Sequence, residues 1–151
     1  MNDTFMGKRR KARESTLQIL FQLEFDNAKP EKVFDSFWKN KRATKEIKEH
    51  SRWIVDKITS HRENIDHLIQ SVSANWRISR MAIVDRNILR MAVCELLYEE
   101  SLAPAIVINE AIEIAKKYSS EEGATFVNGI LDAVRKEIQA MKKAPEEEKD
   151  V

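Results

Sequence analysis

Glycine, proline and cysteine are scarce in this chain, at 3, 3 and 1 of 151 residues. Between Glu31 and Ala103 there is neither glycine nor proline. Sheets need turns, and turns use those residues, so hairpin-rich folds are close to excluded. A Rossmann loop or a P-loop fails for want of glycine. Cys94 stands alone, which excludes an internal disulfide framework and a multi-cysteine zinc site. An excess of one charge is also missing. Lys plus Arg total 26 against 25 Asp plus Glu, so overall charge names no polyanionic partner and only its distribution can. Uncharged stretches such as Ser101–Asn109 are far too short to span a bilayer. No apolar run with a small-residue cleavage site follows the charged start, so no signal peptide is expected. What remains is 42% apolar and 34% charged, a mix that suits a globular protein rather than a disordered one. The reading is a cytoplasmic, single-domain, all-α protein.

Helical periodicity fills in the order. The first helix is expected from about Lys8 to Phe25, with Ala12, Thr16, Ile19, Leu20 and Leu23 turned inward. Pro30 opens a short helix carrying Val33, Phe34, Phe37 and Trp38. A third starts near Thr44, with Ile47, His50, Ile54 and Ile58 on its stripe. Ser60 with Glu63 forms a capping-box pattern, which predicts a break there before Ile65, Leu68, Ile69 and Val72. After a connector, Ser79–Glu99 is apolar on most sides and is the central helix. Pro104 opens the next, and Ser119 with Glu122 marks the start of the last. That helix holds Val127, Ile130, Leu131, Val134 and Ile138 on a clean stripe. Gly129 inside it costs about 1 kcal/mol relative to alanine and suggests a close approach by a neighbouring helix or a ligand.

Charge is uneven along the chain. Lys8, Arg9, Arg10, Lys11 and Arg13 crowd the start, and Glu146, Glu147, Glu148 and Asp150 follow Pro145 in an acidic tail read as a solvated, disordered end. At about 100° per residue, Arg10, Arg13, Leu17 and Phe21 share a sector off the inward stripe. Arginines hold phosphates bidentately and an exposed ring stacks on an unpaired base, a combination that fits single-stranded RNA. Pattern alone leaves a second reading open, in which Phe21 and Phe25 pack on the second helix and the basic run only solvates the terminus. Phe126 lies near the last helix's N-terminus, where free N–H groups suit a phosphate, although Glu121 and Glu122 weaken that site; a half-buried edge ring is the alternative.

The central helix sets Asp85 and Glu95 near its apolar sector, where an acid needs a partner. Glu95 reads as half of a structural pair with an arginine. Glu110, Glu113, Lys116 and Lys117 read as a solvated face laced by pairs such as Glu113–Lys117. For catalysis there is little. His50 sits on a core stripe, His61 and His67 lack metal-pair spacing, and Cys94 reads as inert packing. No catalytic residue, metal ligand or cofactor is expected.

Four segments then carry a resemblance. The start Arg9-Arg10-Lys11-Ala12-Arg13-Glu14 with Leu17, Gln18, Leu20 and Phe21 resembles that of the NusB transcription antitermination factors. So does Val84-Asp85-Arg86-Asn87-Ile88-Leu89-Arg90-Met91-Ala92. The most specific match is Val107-Ile108-Asn109-Glu110-Ala111-Ile112-Glu113 followed by Phe126-Val127-Asn128-Gly129-Ile130-Leu131-Asp132. The resemblance implies an all-α fold of about six to seven helices within residues 1–145. It implies two packed helical subdomains, about 8–72 and about 73–143, ahead of the tail 146–151. It implies binding of boxA RNA in nascent ribosomal transcripts, a heterodimer with the ribosomal protein NusE, and assembly of an antitermination complex on RNA polymerase. The RNA-binding candidates are Lys8, Arg9, Arg10, Lys11, Arg13, Phe21, Glu122 and Phe126. Asp85 and Arg86 are the candidates for NusE. Phe21 replaces a common tyrosine of the family, which removes any hydroxyl contact, and Asp85 replaces a common glutamate. The competing reading is a non-catalytic protein–protein adaptor without specific RNA binding.

Overall fold

Thr4 supplies the first cap: its hydroxyl accepts the Gly7 N–H at 3.0 Å, and helix α1 runs Phe5–Phe25. In this computed structural model residues 4–149 are described, with side chains to 143. Five further α-helices follow among the described residues: α2 (Pro30–Trp38), α3 (Lys45–Val72), α4 (Ile83–Tyr98), α5 (Pro104–Tyr118) and α6 (Glu121–Lys149). A short 3-10 turn, Ile78–Arg80, precedes α4. No strand occurs among these residues.

Local chemistry accounts for most boundaries. Asp26 stops α1, its carboxylate accepting the Ala28 N–H at 2.9 Å in an Asx turn. Pro30 and Pro104 each sit in a first helical turn, where a missing N–H costs nothing. Thr44 caps α3 through the Ile47 N–H. The break expected at Ser60 is a kink inside a continuous helix, centred on His61 at φ −121° and ψ 22°. Gln70 then shapes the connector, donating to the Trp76 carbonyl and accepting the Ile78 N–H. That connector delays α4 to Ile83, four residues after the expected start.

Two other expectations are corrected. The last helix is capped by Ser120, whose hydroxyl accepts the Gly123 N–H at 2.9 Å; Ser119 instead closes α5. The tail after Pro145, read as a disordered end, is helical as far as Lys149, where α6 ends. Proline forfeits one ladder bond, and the Glu and Lys that follow are good helix formers. Asp150 and Val151 lie outside the described residues.

Helix α4 is the axis of the packing. Ile88, Leu89, Val93 and Cys94 are wholly buried on it, within a large apolar cluster that also takes residues from α1, α3, α5 and α6. A smaller cluster, Ala12, Ile19, Val33, Phe34, Trp38, Ile47 and Val55, joins α1, α2 and α3. Among the described residues no helix is long and apolar enough to cross a membrane.

A polar network fastens the far end of α1 to this axis. The Glu24 carboxylate accepts from Arg86 at 2.9 and 2.7 Å, from Arg90 at 2.9 Å and from Asn87 at 3.2 Å. Arg90 also donates to Asp66 of α3 at 2.8 and 3.1 Å. The hydrogen bonds and charge of Arg86, with further donation from Arg90 and Asn87, hold the Glu24 carboxyl down at about 2 despite partial burial.

Candidate nucleic-acid interface

Four side chains from three helices form the centre of the site. Arg13 of α1 donates to both Glu95 oxygens of α4, at 2.6 and 2.7 Å. Its third nitrogen reaches Glu110 of α5 at 3.4 Å. Arg10, one turn earlier, donates to both Glu110 oxygens, at 3.2 and 2.5 Å. Two arginines and two glutamates thus alternate from the core to the surface. Arg13, Glu95 and Glu110 are buried, whereas the Arg10 side chain is 43% exposed. Glu110, by hydrogen bond and then charge, raises the Arg10 pKa further above its already high value.

This arrangement corrects the placement of Arg13. It was expected on the exposed side of α1, yet it is 3% exposed, as is Leu17. The reason is that α1 buries a wider arc than its most apolar residues indicate. Arg13 lies three or four residues from Thr16 and Leu17, both buried, and its charge is tolerated there because two carboxylates meet it. Glu110 is corrected likewise. It belongs to the buried face of α5 with Val107 and Ile114 rather than to a solvated one. Lys117 pairs with Glu14 at 2.6 Å, not with Glu113, and Tyr118 donates to the same Glu14 oxygen at 2.6 Å.

The remaining basic residues fan out around α1. Lys8 lies 3.6 Å from Glu46, and Arg9 lies 3.6 Å from Glu99. Arg9 also contacts the His50 ring, which stacks on Trp53 with 5.6 Å between centroids. Burial first, then the nearby charges of Arg9 and Arg13, push the His50 pKa down to about 3, so the ring is neutral. Lys11 is exposed. Farther along, Phe21 is 41% exposed and meets Phe25 with centroids 5.1 Å apart. The two rings face outward rather than packing under α2.

Phe126 and Glu122 occupy the start of α6. Glu122 is exposed and Phe126 is half-buried, with its ring edge-on to Trp76 of the connector at 6.5 Å. The close approach of a neighbouring helix, expected at Gly129, occurs at Gly123. A Cβ at Gly129 would meet nothing within 4 Å, whereas one at Gly123 would collide with the Ser119 hydroxyl and lie 2.9 Å from Asp85 Oδ1.

Asp85 and Arg86, the candidates for NusE, are both engaged within the fold. Asp85 is buried beneath the start of α6, and its Oδ1 accepts no hydrogen bond. Arg86 is committed to Glu24 and lies near the carbonyls of Ile78 and Ser79. Both were candidates through the family resemblance, Asp85 also as an acid near the apolar sector; the elements that engage them, the start of α6 and the end of α1, are distant in sequence. Helical spacing could have revealed Glu110 and Arg13 as inward-facing, but no local signal pointed to Glu24 or Gly123.

A model described as the NusB family matches residues 10–136. The transcription antitermination protein NusB of Syntrophus aciditrophicus is 41% identical over 146 residues, spanning 97% of this chain and 89% of that protein. The NusB of Myxococcus xanthus is 42% identical over 134 residues, spanning 85% and 95%. Among solved structures, NusB of T. maritima superposes with a TM-score of 0.80 at 38% identity, covering 85% of this chain and 91% of that one. A chain from the crystal structure of antitermination factors NusB and NusE in complex with dsRNA gives 0.80 at 31% identity, covering 87% and 98%.

Proposed function

This chain belongs to the NusB family, and from that premise we propose that α1 is its RNA-contacting element. The protein is a transcription antitermination factor, not an enzyme. It binds boxA RNA of nascent ribosomal transcripts together with NusE and acts in an antitermination complex on RNA polymerase. Its place is the cytoplasm, where that RNA is made.

The observation that carries the reading is the Arg10–Glu110 pair. Two nitrogens of Arg10 are spent on a buried carboxylate, while the exposed guanidinium keeps Nη1 for a phosphate. The arginine is held in place before RNA arrives, which lowers the ordering cost of binding. Lys8, Arg9 and Lys11 add charge around it, and Phe21 offers a ring to a base. Arg13 acts beneath the surface, holding Glu110 in position for Arg10. Glu122 and Phe126 mark a second contact at the start of α6. Asp85 and Arg86 shape the α4 face toward NusE from beneath the surface.

Exposed rings favour unpaired bases, whereas the related complex with NusE contains dsRNA. A gel shift with single-stranded boxA-like RNA, with and without NusE and against a duplex competitor, tests the reading. Single-stranded RNA should shift, more tightly with NusE, and resist the duplex. NusE binding with no RNA shift under either condition would leave only an adaptor.

A further inference from the structure

Lys11, Ser15, Gln18, Gln22 and Phe25 succeed one another at helical spacing on one strip of α1. From Lys11 to Phe25 the strip is about 21 Å long, at 1.5 Å per residue. Two clefts lie along it. The first, of about 710 Å³, is lined by Lys8, Lys11, Trp38, Lys41 and Arg42 among others. The second, of about 580 Å³, is lined by Phe21, Phe25, Phe37 and Lys41 among others. Lys41 borders both, so they form one groove between α1 and the segment that leaves α2.

Its chemistry is one-sided. Four cations line the first cleft, and the acid among them, Glu14, is already bonded to Lys117 and Tyr118. The Lys41 ammonium sits 3.4 Å above the Phe37 ring. Phe25 is 67% exposed. Trp38 is 8% exposed, and its Nε1–H is buried without an acceptor in the protein. Buried donors rarely stay unpaired, and the wall that holds this one is positively charged. In the second cleft the Asp26 carboxylate is bonded to the Ala28 N–H.

We propose that this groove is a second nucleic-acid track, seating single-stranded nucleotides that flank the element held at Arg10 and Phe21. Lys41, set over the half-buried Phe37 ring, and Arg42 take phosphates, and the exposed Phe25 takes a base. Cations interleaved with open rings suit a single strand, whose phosphates and bases alternate. The groove is also continuous with the α1 surface, since Lys8, Lys11 and Phe21 belong to both. The proposal rests on the RNA-binding reading of α1 and extends it beyond the residues assigned there.

The experiment compares a minimal boxA-like RNA with the same RNA carrying several unpaired nucleotides on each side. The parent should bind the extended RNA more tightly. Lys41→Glu with Arg42→Glu should weaken the extended RNA by about tenfold and leave the minimal one unchanged. The log–log salt slope for the extended RNA should flatten by about 1.4 units, at about 0.7 per phosphate contact on a single strand. Both residues are exposed, so the melting curve should not move. Lys32→Glu, exposed on α2 outside both clefts, serves as the charge control and should change neither affinity. The indole N–H resonance of Trp38, assigned with Trp38→Phe, should shift with the extended RNA only.

Equal parental affinity for the two RNAs overturns the proposal. So does a double variant that binds the extended RNA like the parent, or a Trp38 resonance that stays fixed at saturation. Arg10→Glu separates the two levels. If it weakens both RNAs while the double variant changes neither, the groove fails and the reading of α1 stands. If it too binds both like the parent, the reading of α1 fails.

Discussion

Arg13 grips Glu95 through two parallel hydrogen bonds, 2.6 and 2.7 Å long, inside the core between α1 and α4. Removing one partner strands the other as an uncompensated buried charge. Arg13→Ala should therefore cost about 3–5 kcal/mol of stability, read by chemical denaturation. Arg10→Ala, at the solvent end of the same chain of charges, should cost far less stability and should weaken RNA binding in titrations of the folded protein. Equal stability losses for the two would show that burial does not separate their roles.

The exposed ring can be tested apart from the fold. Phe21→Ala should cost about 1–3 kcal/mol of RNA binding if the ring stacks on a base, with little change in melting temperature. Phe126→Ala should lower both, because that ring is half-buried against the large apolar cluster. Melting measured beside RNA titration distinguishes the two patterns, and a Phe21 variant that melts early but binds normally would return that ring to a packing role.

The two glycines of α6 should respond in opposite directions. Gly129 faces open space, so Gly129→Ala should add about 1 kcal/mol through helix propensity. Gly123→Ala would press a methyl onto Ser119 and Asp85 and should cost about 1–3 kcal/mol. Denaturation midpoints of the two single variants give the signs directly.

Acid should unfold the protein in two overlapping stages. His50 has a pKa lowered from 6.5 to about 3, so the unfolded chain binds its proton first. Stability from this residue is intact above about 6.5 and falls by a little over ~1 kcal/mol per unit as pH drops toward 3. Glu24 is lowered from 4.5 to about 2. Its contribution is complete above 4.5 and is lost as pH falls from there toward 2. Denaturation at a series of pH values should show His50→Gln flattening the upper window and Glu24→Gln the lower one.

How much of this was legible depended on the range of the cause. Helix existence followed from spacing alone, and caps at Thr44 and prolines at 30 and 104 set boundaries within the chain's own neighbourhood. The kink at His61 was legible as a break because Ser60 and Glu63 interrupt the pattern, but not as a bend in a continuous helix. Arg13 misled because its sector, shared with Leu17, lies beside the most apolar stripe of α1, and the helix buries a wider arc than that stripe marks. Phe21 was read correctly as off the stripe. Asp85 was marked as an acid in need of a partner, but its cover comes from the Ser119–Gly123 turn, over thirty residues away. Gly123 and Gly129 look alike in sequence, and the approach of Ser119 and of Asp85 on α4 tells them apart. The Trp38 groove had no local signature, since its walls meet only when α2 folds back along α1.

Cys94 lies at the middle of α4 with no exposed surface, and burial, aided by the neighbouring Glu95 charge, pushes its thiol up to about 12. As the chain's single sulfhydryl, it is shielded in the native state both by lack of access and by lack of thiolate. A thiol reagent such as an aromatic disulfide can therefore modify the protein only when α4 is uncovered. The rate of that modification becomes a clock for opening of the central packing, readable in a single absorbance trace without introducing any label. Slowing of the clock by RNA or by NusE would report, from inside the protein, how firmly each ligand closes the helices around their axis.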